Sequence, residues 1–312
     1  MVTLFSTPKP FQGHSNIIQR NALKSWKLLH PDVEVIVFGD DQESAEVCAE
    51  LGLRHEPDVA KTEFGAVRLD DMFSKAQAIA KHDLVCYINC DIILTQDFVR
   101  GLEQVSAAHA EFLMLGRRWD VDITECIDFS NPNWAEETRR KSLAANRRQT
   151  DWWIDYFAFS RGLYGPDLPP FAIGRTAWDN WLVWKVIHSR KPVIDVSRVV
   201  VAIHQNHDYC HHPQGKQGIW SGEDARRNLE LAGGYHRLRT IADATHVLTP
   251  RGLARNPGRY WMACKRFVDP SGVSLLYKVW LPFWHFLLGV TRPLRHALGF
   301  RAGAMRRFQR KG

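Results

Sequence analysis

Residues 82–98 read H-D-L-V-C-Y-I-N-C-D-I-I-L-T-Q-D-F, and this stretch decides the fold. Leu84 to Ile88 is a short apolar run, rich in β-branched and aromatic side chains and bounded by polar residues, the pattern of a buried strand in a mostly parallel sheet. Open α/β sheets bind ligands at the carboxyl ends of their strands. Asn89 and Asp91 stand at that end, and period-two alternation sends both to one side and Cys90 to the other. Their oxygens suit a hard cation such as Mg2+ or Mn2+, which takes much of its remaining coordination from a ligand's phosphates. A second reading is that Asn89 caps the strand and Asp91 starts a turn, both ordinary roles for these residue types.

Outward from this run, the amino-terminal third alternates strand and helix. Val2 to Ser6 and Val33 to Phe38 read as strands, and helices are expected over 16–29, 42–51 (stopped by Gly52) and 67–81. That alternation is the signature of a parallel, doubly wound α/β sheet. Further on, a strand is expected at 112–115 and a charged helix at 133–148. An aromatic tract follows at 151–160, then a helix begun by Thr176, and strand-like runs at 193–194 and 199–203. A histidine-rich loop, H-Q-N-H-D-Y-C-H-H, closes the unit.

The chain has 312 residues, 45% hydrophobic and 24% charged, enough for one large α/β core. After Thr291 come seven cations and no acidic residue, which accounts for the whole formal charge of +7, so the body carries no basic face for nucleic acid. The six cysteines are scattered without C-x-x-C pairs, as suits a reducing compartment. The amino terminus lacks a charged n-region and a long apolar h-region, so neither signal peptide nor leading anchor is expected and the body is read as cytoplasmic.

In order, the chain carries a first strand followed by Thr7-Pro8, a strand ending in Gly39-Asp40-Asp41, and the N-C-D run. G-R-x-x-W-D-N-W at 174–181 and V-V-V-A-I-H-Q-N-H-D-Y at 199–209 come after these. This sequence of motifs, over roughly residues 1–210, resembles the GT-A fold nucleotide-sugar glycosyltransferases of bacterial surface-glycan type. The resemblance implies a Rossmann-like, mostly parallel sheet flanked by helices, with a nucleotide-binding half (1–111) and an acceptor or catalytic half (112–212) in a domain ending near 265. It implies a divalent cation on the donor diphosphate held by Asp91, with His204 as a further ligand and His207 in reserve. Asn89 replaces the family's first aspartate and is expected to bind the donor ribose or a metal-bound water.

Thr7, Pro8, Asp40 and Asp41 are implied contacts to the nucleotide, against ordinary turn chemistry as the other reading. Arg68 and Lys75, seven residues apart on one expected helix, reach the diphosphate or form a solvated face. Asp179 stands where the family's general base would, although Thr176 and Asp179 also match a helix capping box. Arg175 and Trp178 are candidate acceptor contacts. A zinc site built from His204, His207, Cys210, His211 and His212 is a rival reading, but the spacing fits no zinc pattern.

Residues 266–312 form a basic, amphipathic tail. The apolar run at 273–290 is interrupted by Lys278, Pro282 and His285, and its aromatic residues and following arginines suit a segment lying in the headgroup region on the inner face of a plasma membrane. A helix packed on the body is the alternative. The expected function is metal-dependent transfer of a sugar from a nucleotide donor to a hydroxyl of a lipid-linked or growing glycan. A sugar nucleotidyltransferase, and a non-catalytic glycan-binding or membrane scaffold, remain open.

Overall fold

The computed structural model describes residues 1–207 and 215–268. Four strands open the chain, β1 (Val2–Ser6), β2 (Glu34–Phe38), β3 (Arg54–Glu56) and β4 (Leu84–Ile88), each parallel to its neighbour. Helices α1 (Gly13–Lys27), α2 (Ser44–Leu51) and α3 (Leu69–Ile79) make the crossovers, and Gly52 ends α2 in the left-handed conformation at φ 61°. Glycine meets that φ without the steric cost a Cβ would impose.

The chain then turns at Asn89, whose carbonyl accepts from the Ile92 amide at 3.1 Å, into β5 (Ile92–Ile93) and α4 (Gln96–Ala108). After these come β6 (Leu113–Leu115), β7 (Arg118–Val121), α5 (Trp134–Ala145), β8 (Tyr156–Ser160), α6 (Trp178–His188), β9 (Val193–Asp195) and β10 (Ala202–Gln205). Helices α7 (Gly215–Ser221) and α8 (Glu223–Leu231) and the hairpin of β11 (His246–Thr249) and β12 (Gly252–Arg255) complete the unit, which closes at Arg259. A second unit starts at Tyr260, and its described part is the remainder of α9 (Gly258–Val268).

Among the described residues, nine strands form one sheet in the order β12-β11-β9-β6-β8-β4-β1-β2-β3, and β5, β10 and β7 form a second. The expected fold, a mostly parallel sheet flanked by helices, is the one observed. Strand β8 departs from the parallel rule by running against both β4 and β6. Its aromatic tract is therefore core in the middle of the sheet, with Tyr156, Phe157 and Phe159 fully buried.

Alternation along the strands creates two cores. Phe5, Ile36, Phe38, Val85 and Tyr87 face α3 and α6, while Leu4, Val35, Val37, Cys86 and Ile88 face α1, α2 and α4. Trp26 of α1 is fully buried, yet its indole N–H donates to the Ile92 carbonyl at 2.8 Å, which fixes β5 under the sheet edge. Among the described residues no helix is long and apolar enough to cross a membrane. The basic tail expected to lie on a membrane falls largely at 269–312, outside the described residues.

Candidate active site

A cleft of about 1040 Å3 opens at the carboxyl ends of β1, β2 and β4. Thr7, Pro8, Asp41, Asn89, Asp91, Arg175, Trp178, Asp179 and His204 all line it. Gly39 turns this edge at φ 106°, a conformation that a residue with a Cβ rarely adopts. Asp40, Arg68 and Lys75 do not line the cleft. Asp40 pairs with Lys61 at 2.5 Å, Arg68 with Asp70 at 2.5 Å, and Lys75 with Asp71 at 3.0 Å on the same helix.

Asp91 is buried at the β4–β5 turn. His207 Nε2 lies 3.0 Å from its Oδ2 and His204 Nε2 lies 3.9 Å from the same atom. The ligand atoms of these three residues fall within 4.8 Å of one another. Burial by itself would raise the Asp91 carboxyl. The imidazoles of His204 and His207 and the Lys9 ammonium outweigh it, holding Asp91 well below the usual carboxylate range. Its other oxygen, Oδ1, is buried and has no hydrogen-bond partner among the described residues. A buried, ionised, half-satisfied carboxylate between two imidazoles fits a cation. Of the five residues in the rival zinc reading, Cys210, His211 and His212 lie outside the described residues, while His204 and His207 converge on Asp91.

Behind the cluster runs a buried polar chain that sequence reading missed. Asp120 Oδ1 lies 3.1 Å from His204 Nδ1, the position of a carboxylate that orients a ligating imidazole. Arg118 donates through Nε to Asp120 Oδ1 at 2.9 Å and through Nη1 to Asp155 Oδ1 at 2.8 Å. Asn89 donates to the same Asp155 oxygen at 2.8 Å and accepts from the Tyr87 hydroxyl at 2.9 Å. The Asn89 side-chain amide is thus hydrogen-bonded at both ends to protein partners. Arg118 is the cation on which two buried carboxylates depend. Arg118→Met is expected to lower the unfolding free energy in urea by about 3–5 kcal/mol, because Asp120 and Asp155 would be left buried without their counter-charge.

Helix α6 begins at Trp178, two residues later than the sequence suggests. Ala177 takes φ 82°, and no side-chain cap forms, so the capping box of Thr176 and Asp179 is absent. The strained residue costs on the order of 1–3 kcal/mol. Trp178 follows it, 4% exposed, edge-on to Tyr87 and tilted against Phe157 where the core meets the cleft lining. Asp179, in the first turn of the helix, lines the cleft half-buried. Burial lifts its carboxyl from 3.8 to about 7, the charge of Asp155 adds to the rise, and hydrogen bonds from backbone N–H groups at 179–180 oppose it. A carboxyl in that range exchanges a proton readily near neutral pH.

No family model matches this chain, and no curated protein does. Among solved structures it is similar to S. aureus TarS 1–349, at 13% identity over 66% of this chain and 60% of that one, with a TM-score of 0.45. It is also similar to glucosyl-3-phosphoglycerate synthase from Mycobacterium tuberculosis in complex with Mn2+, UDP-glucose and phosphoglyceric acid, at 16% identity over 75% of this chain and 80% of that one, with a TM-score of 0.47. The chain therefore spans about 60% of the TarS structure it matches.

Proposed function

We propose that this chain is a nucleotide-sugar glycosyltransferase that works with a divalent cation and moves a sugar to a hydroxyl of a growing or lipid-linked glycan. The observation that carries the reading is the sharing of one cleft by a three-residue cation cluster and a carboxyl raised to about 7. Asp91, His204 and His207 would hold the cation. Two imidazoles beside one carboxylate favour Mn2+ over Mg2+, which prefers an all-oxygen shell. Bound there, the cation would offset the charge that develops on a leaving diphosphate.

The chain's own groups do the remaining work. Thr7 and Asp41 line the edge where the nucleoside would lie. Asp120, 3.1 Å from His204 Nδ1, would offer that nitrogen a carboxylate while Nε2 serves the cation. Asp179, ionised above about pH 7, takes the proton from the incoming hydroxyl as the new glycosidic bond forms, and the amino-terminal end of α6 favours its charged form. Peripheral membrane contact is a further part of the proposal and is read from the sequence of the tail.

The test is a panel of nucleotide sugars incubated with the full chain and Mn2+. Release of free nucleoside diphosphate, stopped by EDTA, is expected for at least one donor. Release of pyrophosphate instead would make the protein a nucleotidyltransferase, and no Mn2+-dependent release from any donor would refute the reading.

A further inference from the structure

Large aromatic side chains stand exposed along the lining of the cleft. Phe64 is 55% exposed, Trp152 56% and Trp220 40%, and all three line the same cleft as Asp91 and Asp179. They come from three separate parts of the chain: the loop before α3, the loop before β8, and α7. Trp153 joins them, edge-on to Trp220 with ring centroids 5.3 Å apart. The Arg118 guanidinium lies over the Trp153 ring, 4.9 Å from its centroid. The aromatic rim is therefore continuous, through Arg118 and Asp120, with His204 of the cation cluster.

The rim is held in place from below. Thr62 donates to Asp224 at 3.1 Å, tying the Phe64 loop to α8. Asp151 accepts from the Ile241 amide at 3.1 Å through its carbonyl and forms an ion pair with Arg117, which anchors the loop that carries Trp152. Glu223 and Asp224 line the same cleft.

From this arrangement we infer that the mouth of the cleft is a saccharide-binding subsite, with Trp152 and Trp220 as stacking platforms for pyranose rings of the acceptor. The inference rests on the glycosyltransferase reading and gives its acceptor a chemical class. A sugar ring has an apolar C–H face that covers an aromatic face, and hydroxyls at its rim that need polar partners close by. Exposed indoles and carboxylates lining one cleft supply both. A polyprenyl phosphate would need a continuous apolar wall, and its phosphate would meet Glu223 and Asp224.

The test uses the full chain on an array of defined glycans, with and without Mn2+ and a nucleoside diphosphate, alongside a polyprenyl phosphate in detergent micelles. The wild type is expected to retain at least one class of glycan. Trp152→Ala and Trp220→Ala, both at exposed positions, are each expected to weaken that binding about tenfold, the scale of one lost stacking contact, with far-UV circular dichroism unchanged. No retained glycan, retention unaffected by both substitutions, or binding of the polyprenyl phosphate alone would overturn the inference. Donor turnover by the wild type separates the two claims. Turnover without glycan binding removes the subsite and leaves the reaction, and glycan binding without turnover does the reverse.

Discussion

Asp91→Ala abolishes Mn2+-dependent release of nucleoside diphosphate, by about a thousandfold or more, the upper range for losing a main electrostatic stabiliser. The expectation follows from the donor set. Asp91 is the single carboxylate in the cluster it forms with His204 and His207, so its loss leaves two imidazoles and no carboxylate to hold a cation among diphosphate oxygens. The protein should remain folded. The contact between the Asp91 main chain and β10, in which its carbonyl accepts from the Gln205 amide at 3.1 Å, survives the substitution. Thermal unfolding with and without Mn2+ reads binding apart from activity. A ligand at about 100 times its Kd stabilises by about 2.7 kcal/mol, so the wild type should melt higher with Mn2+ and the variant should not. Asp91→Asn keeps the shape and removes the charge, and should behave as alanine does. A variant that still gained stability from Mn2+ and still turned over donor would take Asp91 out of the site.

The second large effect is a trade between activity and stability at Asp179. Asp179→Asn should lower transfer by about 10²–10⁴, the usual contribution of a positioned base. It should also make the protein more stable at pH 8. The sign follows from the carboxyl being raised from 3.8 to about 7 on folding. The folded state keeps this proton to a higher pH than the unfolded chain does, so stability falls as the pH rises from about 4 to 7 and stays reduced above that. At about 1.36 kcal/mol per pH unit the cost reaches roughly 4 kcal/mol at most, and asparagine does not carry it. Urea unfolding should show the variant ahead at pH 8 and the gap closing as the pH falls toward 4. At saturating Mn2+, wild-type kcat/KM should climb with pH up to about 7 and then level. A flat profile between pH 6 and 8, together with a destabilised variant, would leave Asp179 without the proposed role.

Much of this geometry was legible before any coordinates. The strand at Leu84–Ile88 is bounded as its apolar run suggests, since a buried strand needs five or so apolar residues and little else. Asp91, Asp179 and His204 fall in one cleft because each follows a feature that open sheets place along the same rim. Other parts were hidden for physical reasons. Arg118 and Asp120 sit on β7, which pairs with β10 in a second sheet, and a pairing between strands so far apart leaves no mark on local periodicity. Asp155 was masked by the aromatic tract around it. The helix start at Trp178 was hidden because the positive φ of Ala177 shifts it past Thr176. Trp220 gave no signal, since a lone tryptophan in a polar segment reads the same whether it packs inside or faces a cleft. The hairpin of β11 and β12 did have a turn signal in Pro250-Arg251-Gly252, which extends the sheet well past the histidine-rich loop.

The small sheet that joins β5 to β10 has a consequence for how the molecule comes into being. Asp91 and Gln205 are 114 positions apart, yet the Gln205 side chain binds the Asp91 carbonyl and also reaches Ile18 and Asn21 of the first helix. A nascent polypeptide that has not yet delivered β10 possesses the aspartate and neither imidazole. The three side chains of the cluster thus come together only once β10 has been made, and no fragment ending before that strand contains them all.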